Sequence, residues 1–363
     1  MDLLRRTRRD RGARHGAVPF AAPNAQAGAW FGRAAGASRL SPRSDHFDGE
    51  RFFNPGVDTD KSFGDLWRWR RARIPAIWPQ HLDLPVYPPP ARRAEAGETL
   101  LTYIGQATVL IQVPGLNILT DPIFSERASP VVFAGPKRVR APGIGFDDLP
   151  PIDLILLSHN HYDHLDRPSL ARLARRGSAV LVTGLGNRPI LRGLGLQEIV
   201  ELDWWETCRP LPGVEVSYVP AQHWSSRTLA DRRKALWGGH VIRHAAGTLY
   251  FAGDTGYGRH FGSIAERFAP DTALLPIGAY EPRWFMRSQH MNPDDAVKAH
   301  LDLGVRHSFA IHWGTFQLTD EALEAPLREL EAARLAQGVA VEAFVAPPPG
   351  EVVRWTDQSG VAA

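Results

Sequence analysis

The chain has 363 residues, of which 44% are hydrophobic, so it can bury the core of one large domain with a terminal extension. Its formal net charge is +3; because arginines cluster in residues 1–14, the rest of the chain lacks the broad basic face that nucleic-acid binding needs. Its single cysteine, Cys208, excludes a disulfide within one chain, so a metal would have to be bound by histidines and carboxylates.

The first 98 residues divide into two predicted parts. Residues 1–44 are rich in Ala, Gly, Arg and Pro without periodicity, which predicts a basic, disordered tail. Prolines interrupt its weakly apolar stretch, so the tail does not have the pattern of a secretory signal. Residues 45–98 are aromatic and basic and end in a run of prolines, which predicts an ordered N-terminal extension.

Residues 99–350 alternate between strand and helix patterns and are predicted to form one large domain, followed by a C-terminal tail over 351–363. The predicted strands are 100–104, 108–113, 117–120, 152–157, 179–183, 214–219, 248–252, 273–276 and 308–311. The predicted helices are 169–175, 264–268, 293–303 and 320–335. The two β-rich halves, each followed by helices, predict an α/β fold with helices on the outer faces of its sheets.

A dense group of metal-ligand residues directly follows the predicted strand 152–157. It contains His159, His161, Asp163 and His164. In an extended segment alternate residues face the same way, so His159 and His161 can share one metal. A following turn would bring Asp163 and His164 to a second metal. The alternative is that these are ordinary core and surface histidines.

Three further residues of ligand type follow other predicted strands: His223, Asp254 and His312. Four strand ends are therefore predicted to converge on one edge of the fold. Imidazole and carboxylate ligands suit zinc, with iron or manganese as alternatives. An aspartate that bridges two ions would hold them about 3.5 to 4 Å apart.

The pattern His-x-His-x-Asp-His with a later His, Asp and His resembles the metallo-β-lactamase superfamily, which implies a four-layer αββα sandwich. The segments around His223, Asp254 and His312, and the run 277–286, resemble the branch of N-acyl-phosphatidylethanolamine-hydrolysing phospholipases D and its bacterial relatives. The resemblance extends over residues 45–345.

This resemblance implies two zinc ions. His159, His161 and His223 would hold one, Asp163, His164 and His312 the other, and Asp254 would bridge them. A hydroxide shared by two cations is available at neutral pH, because metal binding lowers the pKa of water from about 16 to about 7. Such a hydroxide could attack the phosphorus of a phosphodiester.

Four other residues are candidates for supporting roles. Gln289 and His290 match family positions near the attacked group and could bind substrate and donate to a phosphoryl oxygen; the alternative is a solvated loop. Asp121 could orient a ligand histidine, or be a plain turn residue. Arg227 could contact an anionic head group, or be a solvated arginine. The animal lipases have a lysine where this chain has Ser226, which leaves the head-group contacts open.

The predicted function is that of a dinuclear metal-dependent hydrolase, a phosphodiesterase of phospholipase D type acting on N-acyl phospholipid head groups. One alternative is a lactonase or other acyl hydrolase acting on an ester; another is a metal-binding interaction protein of the cell envelope. No apolar run approaches the ~20 residues that span a bilayer, so a cytoplasmic protein is expected. Residues 67–73 could contact a membrane peripherally, or pack on the domain. The sequence leaves the oligomeric state open.

Overall fold

A computed structural model describes residues 43–356. The predicted tail 1–44 lies outside these residues except for its last two positions, and so do residues 357–363 of the predicted C-terminal tail. Within the described chain, no helix has both the length and the apolar character needed to cross a membrane.

The described residues contain fourteen strands, numbered in chain order. They are β1 Glu98–Gly105, β2 Thr108–Val113, β3 Leu116–Thr120, β4 Leu154–Leu157, β5 Val180–Gly184, β6 Glu198–Leu202, β7 Thr207–Leu211, β8 Val214–Val219, β9 Gly239–His244, β10 Gly247–Phe251, β11 Thr272–Pro276, β12 His307–Ile311, β13 Phe344–Val345 and β14 Val352–Thr356. The helices are α1 Phe63–Ala72, α2 Arg167–Arg176, α3 Arg188–Leu191, α4 His260–Phe268, α5 Arg283–Met286, α6 Pro293–Leu303 and α7 Ala325–Gln337.

The strands form two seven-stranded sheets that share one design. The first has the order β14-β1-β2-β3-β4-β5-β6 and the second the order β13-β12-β11-β10-β9-β8-β7. In the first sheet, β1 to β3 pair antiparallel and β3 to β6 pair parallel. In the second, β7 to β10 pair antiparallel and β10 to β13 pair parallel. Parallel strands end at the same edge, so loops that follow them lie side by side.

The two sheets pack face to face, and strand β4 shows how. Its residues Leu154 and Leu156 belong to the core that both sheets share, whereas Ile155 and Leu157 face the other way and pack with α2. This alternation follows from the two-residue period of a strand. On the outer face of the second sheet, α6 contacts α4, α7 and β11, and side chains of all three helices belong to the core cluster. The predicted αββα sandwich is confirmed.

Two predicted boundaries are wrong. Residues 352–356, assigned to a tail, form β14, which pairs antiparallel with β1; its Trp355 stacks on His307 at 4.7 Å between ring centroids. The predicted helix 320–335 begins only at Ala325. The residues before it are held differently, since Glu321 accepts hydrogen bonds from the backbone N–H groups of Ala279 and Glu281.

The N-terminal extension contains a helix that the sequence pattern did not predict. Helix α1 begins after Ser62, whose hydroxyl accepts from the backbone of Asp65 while Asp65 accepts from the backbone of Ser62. None of its residues is buried, because its apolar residues Phe63, Leu66 and Trp67 are exposed, so the helix is not the core-facing kind whose buried stripe marks it in a sequence. Trp69 anchors it by stacking on Phe285, with 5.1 Å between ring centroids.

Candidate metal centre

The seven predicted ligand residues come together at one edge of the two sheets. They form two adjacent groups, and within each group the potential ligand atoms lie within 4.8 Å of one another. The first group is His159, His161 and His223, and the second is Asp163, His164, Asp254 and His312. Each group draws residues from both sheets, because the 159–164 segment follows β4 while His223, Asp254 and His312 follow β8, β10 and β12.

Local backbone features bring these strand ends close together. The N–H groups of His164 and Leu165 both donate to the carbonyl of His161, which forms the turn after the strand. Gly253 has a φ of +61°, and a Cβ there would lie 2.5 Å from Cβ of Ser158. His312 also has a positive φ, 61°, which is strained for a residue with a Cβ and is typical of functional sites.

Asp254 lies between the two groups. Its Oδ1 is 3.2 Å from Nε2 of His312, and its Oδ2 is 3.2 Å from Nε2 of His164. The same Oδ2 is 3.7 Å from Nε2 of His223 in the first group. A carboxylate that reaches both groups has the placement that a bridging ligand requires.

Asp121 lies behind the second group. Its Oδ2 is 2.6 Å from Nδ1 of His164, and it also accepts from the backbone N–H and hydroxyl of Ser158 at 2.7 and 2.5 Å. A buried carboxylate at Nδ1 fixes the imidazole with Nε2 directed at the cluster. These contacts favour an orienting role over that of a plain turn residue.

The structure brings His290 to the cluster but uses Gln289 differently. Nδ1 of His290 is buried without a hydrogen-bond partner, 3.9 Å from Oδ2 of Asp254. The backbone carbonyl of Gln289 accepts from Nδ1 of His223 at 3.0 Å, while its side-chain amide lies 3.8 Å from the sulfur of Met286. Gln289 therefore orients a candidate ligand through its backbone.

Arg227 holds the segment that carries four of the candidate ligands. Its Nη1 donates to the carbonyls of Asn160 and Leu165 at 2.9 and 2.8 Å. Its guanidinium also lies 3.9 Å from the centroid of the Tyr162 ring. These contacts favour loop positioning over the predicted head-group contact.

Sequence reasoning missed two residues at the site. Gln106, in the turn between β1 and β2, places Nε2 2.8 Å from Oδ2 of Asp163. Asn54, in the N-terminal extension, donates from Nδ2 to the carbonyl of His223 at 2.8 Å. Neither lies near a ligand in sequence, so the only available signal was a polar residue in an apolar or aromatic segment.

The two groups differ in charge. Burial lowers the pKa of His161 to about 3 and that of His223 to about 4, so the first group is a set of neutral imidazoles. In the second group, burial alone lowers the pKa of His164, but the carboxylates of Asp254, Asp163 and Asp121 raise it well above 6.5. The second group thus attracts positive charge.

Both groups fit a divalent transition metal. Nδ1 of His161 lies 2.8 Å from Nε2 of His159 and 3.2 Å from Nε2 of His223. Burial keeps these imidazoles neutral, and Nδ1 of His223 donates its single proton to the Gln289 carbonyl, which leaves a lone pair on Nε2 directed at the other two rings. Imidazole and carboxylate donors in this number match zinc and its neighbours in the periodic table.

Residues 116–313 match the family described as the beta-lactamase superfamily domain. The chain therefore belongs to this superfamily, as its sequence motifs predicted.

Relatives within the superfamily are more specific. The chain is 38% identical over 272 residues to N-acyl-phosphatidylethanolamine-hydrolyzing phospholipase D 1 of Caenorhabditis elegans, covering 71% of this chain and 76% of the relative. It is 38% identical over 237 residues to the mitochondrial N-acyl-phosphatidylethanolamine-hydrolyzing phospholipase D of Saccharomyces cerevisiae, covering 63% of this chain and 50% of the relative. It is 30% identical over 251 residues to a metal-dependent hydrolase of Methanopyrus kandleri, covering 68% of this chain and 96% of the relative.

Solved structures show the same fold. Igni18, a metallo hydrolase of Ignicoccus hospitalis, has a TM-score of 0.56 and 23% identity and covers 72% of this chain and 100% of its own. An isothiocyanate hydrolase from Delia radicum gut bacteria has a TM-score of 0.57 and 23% identity, covering 71% of this chain and 99% of its own. Together with the donor groups and the relatives, the fold identifies the chain as a metal-dependent hydrolase.

Proposed function

We propose that this hydrolase is a dinuclear phosphodiesterase of phospholipase D type that acts on N-acyl phospholipid head groups. The observation that carries the proposal is the 38% identity to relatives named as N-acyl-phosphatidylethanolamine-hydrolyzing phospholipases D in two organisms. The proposal is also supported by the two groups of potential metal ligands, which meet at Asp254.

The metal ligands follow from the two groups. His159, His161 and His223 would hold one zinc ion; Asp163, His164 and His312 would hold the other; Asp254 would contact both. Two such ions would supply a hydroxide at neutral pH and would neutralise charge on a phosphoryl oxygen.

The chain's own residues prepare the reaction. Asp121 and the Gln289 carbonyl fix the orientation of His164 and His223. His290 offers a buried imidazole nitrogen without a partner beside Asp254, which suits a donor to a phosphoryl oxygen. In a site shielded from water, a preoriented donor of this kind stabilises developing charge far better than it would in water.

In this proposal, the exposed part of helix α1 contacts the membrane that contains the lipid substrate. Phe63 and Trp67 have 85% and 56% of their surfaces exposed, and Arg71 lies over the Trp67 ring at 4.7 Å. Trp69 on the same helix packs inward instead, donating to Asp320. Exposed aromatic side chains interleaved with arginines suit the interface of an anionic membrane.

The test compares three substrates with purified enzyme: an N-acyl-phosphatidylethanolamine, bis-nitrophenyl phosphate and a lactone. We expect phosphatidate and the N-acylethanolamine from the lipid, and loss of this activity in the Asp254→Asn variant. Hydrolysis of the lactone alone would assign the chain to the acyl hydrolases. Absence of any turnover with fully metallated protein would point to an interaction protein.

A further inference from the structure

Gln106 is a buried polar residue that the proposed chemistry does not use. It is only 1% exposed and follows β1 with a φ of 57°, which is costly for a residue with a Cβ. Its backbone is fixed against the end of β12, because its N–H donates to Oγ1 of Thr315 at 2.7 Å and its carbonyl accepts from His312 N–H at 2.6 Å. The turn is therefore held rigidly beside the second donor group.

The side chain of Gln106 reaches into that group. Its Nε2 lies 2.8 Å from Oδ2 of Asp163 and 2.7 Å from Nε2 of His312. An ionised carboxylate only accepts hydrogen bonds, so the Gln106 amide donates to Asp163. The same Asp163 oxygen lies 3.3 Å from Nε2 of His164 and 3.2 Å from Nε2 of His312, which makes it the oxygen directed at the cluster.

A neutral donor is well suited to this position. A lysine or arginine on Asp163 would compete electrostatically with a metal ion, and an apolar residue would leave the carboxylate free to rotate. The Gln106 amide orients the carboxylate without adding charge. Partners of this kind are worth 10- to 100-fold in metal affinity.

We propose that Gln106 is a positioning residue of the second donor group, which fixes the Asp163 carboxylate as a ligand and thereby sets the affinity of the second metal. The inference rests on the dinuclear site of the proposed function, but its main readout is metal affinity, which does not depend on the substrate.

The experiment titrates zinc into the apoprotein in competition with a chromophoric chelator, and records the visible spectrum of the cobalt-loaded protein. In Gln106→Leu, we expect one metal to bind as in the wild type and the other to bind about 10- to 100-fold more weakly. The cobalt spectrum should change for the weakened ion only. Turnover should fall mainly in kcat, because the substrate contacts are intact.

Gln112→Leu is the matched control. Gln112 is a buried glutamine on β2 that donates to the carbonyl of Ala91, so its loss affects packing but should leave both metal affinities unchanged. If Gln106→Leu does not fold, Thr315→Val removes the acceptor that holds the Gln106 backbone and should weaken the same metal to a smaller degree.

Wild-type affinity for both metals in folded Gln106→Leu, or in Thr315→Val where the leucine variant fails to fold, would overturn the inference. A wild-type protein that binds only one metal would instead contradict the proposed dinuclear function, so the two failures are distinguishable.

Discussion

The metal centre and the N-terminal extension are built in opposite ways. Six of the seven candidate ligands are buried and His161 is half-buried, and all of them follow strands of the two sheets, whereas helix α1 of the extension buries none of its residues. The two regions meet at specific bonds, since Asn54 donates to the carbonyl of His223 and Lys61 donates to the hydroxyl of Ser288 at 3.1 Å. The sheets carry the candidate ligands, whereas the extension packs Phe47 and Phe52 into the shared core, supports one ligand loop through Asn54 and leaves helix α1 unburied.

The largest effect is expected in the metal centre. His161→Ala removes a ligand of the first group, so elemental analysis should find one zinc-like ion per chain in place of two. Activity should fall more than about a thousandfold, because the two-ion arrangement is lost. Helix α1 and the fold should be unaffected, which circular dichroism checks. Full metal content together with full turnover would contradict the ligand assignment.

His290→Ala tests whether His290 donates a hydrogen bond to the substrate and is not a metal ligand. We expect turnover to fall about 100-fold, the range for one lost donor to developing charge, while metal content stays at the wild-type level. Gln289→Ala should have a much smaller effect, because that residue contacts His223 through its backbone carbonyl. Equal effects of the two substitutions would show that the distinction between them is wrong.

Asn54→Asp tests whether the extension supports the metal centre. The variant can still accept from Nε1 of Trp237, but it can no longer donate to the carbonyl of His223. Such a loss costs about 1 to 3 kcal/mol, and kcat/KM should fall about tenfold as His223 loses its support. Thr59→Val is the control, since it leaves the bond from Asn54 to His223 in place and should keep normal turnover.

Trp67→Ser and Trp69→Ser test whether the two tryptophans of helix α1 have different roles, one in membrane binding and one in packing. Trp67 is exposed, so its replacement should weaken sedimentation with anionic vesicles by about tenfold or less without changing Tm. Trp69 stacks on Phe285, so its replacement should lower Tm. Added salt should reduce binding of the wild type. If the Trp67→Ser variant sediments with vesicles as well as the wild type does, helix α1 has no role in membrane binding.

The smallest effect concerns the start of the extension. Burial alone lowers the pKa of His46, but hydrogen bonds to Asp203 and Asp45 outweigh it and raise the pKa above 6.5. The protonated form therefore favours folding, so its contribution is complete below pH 6.5 and is lost as the pH rises through the folded-state pKa. The contribution is about 1 kcal/mol or less.

The measurement compares the free energies of unfolding of the wild type and His46→Gln between pH 5 and pH 9. The free energy of unfolding of the wild type should exceed that of His46→Gln most at the lowest pH. A difference that is constant with pH would contradict the assignment.

The fold was predictable where pattern and environment agree. β2 and β8 have the predicted bounds, because runs of β-branched and apolar residues lie between clear turns. β9 was not predicted, since its Gly239, Arg243 and His244 are poor strand formers and its pairing with β8 and β10 supplies the missing stability.

The metal ligands of the candidate site were predictable from the sequence, whereas the residues that support them were not. Metal chemistry demands histidine and aspartate, so His159 and Asp254 are visible in the sequence. Gln106 and Asn54 act through single hydrogen bonds to residues far away in the chain. Many residue types can make such bonds, so only the folded structure can identify them.

The donor groups each draw on both sheets, and this has a consequence for the lifetime of the protein. An ion held at either group is a cross-link between the sheets that exists only in the folded state, so metal supply and folding are linked. At a free metal concentration of about 100 times the dissociation constant, one ion adds about 2.7 kcal/mol to the stability of the folded state. In a cell poor in the metal that these groups bind, the enzyme would lose resistance to proteolysis as well as activity, and its abundance would follow the metal supply.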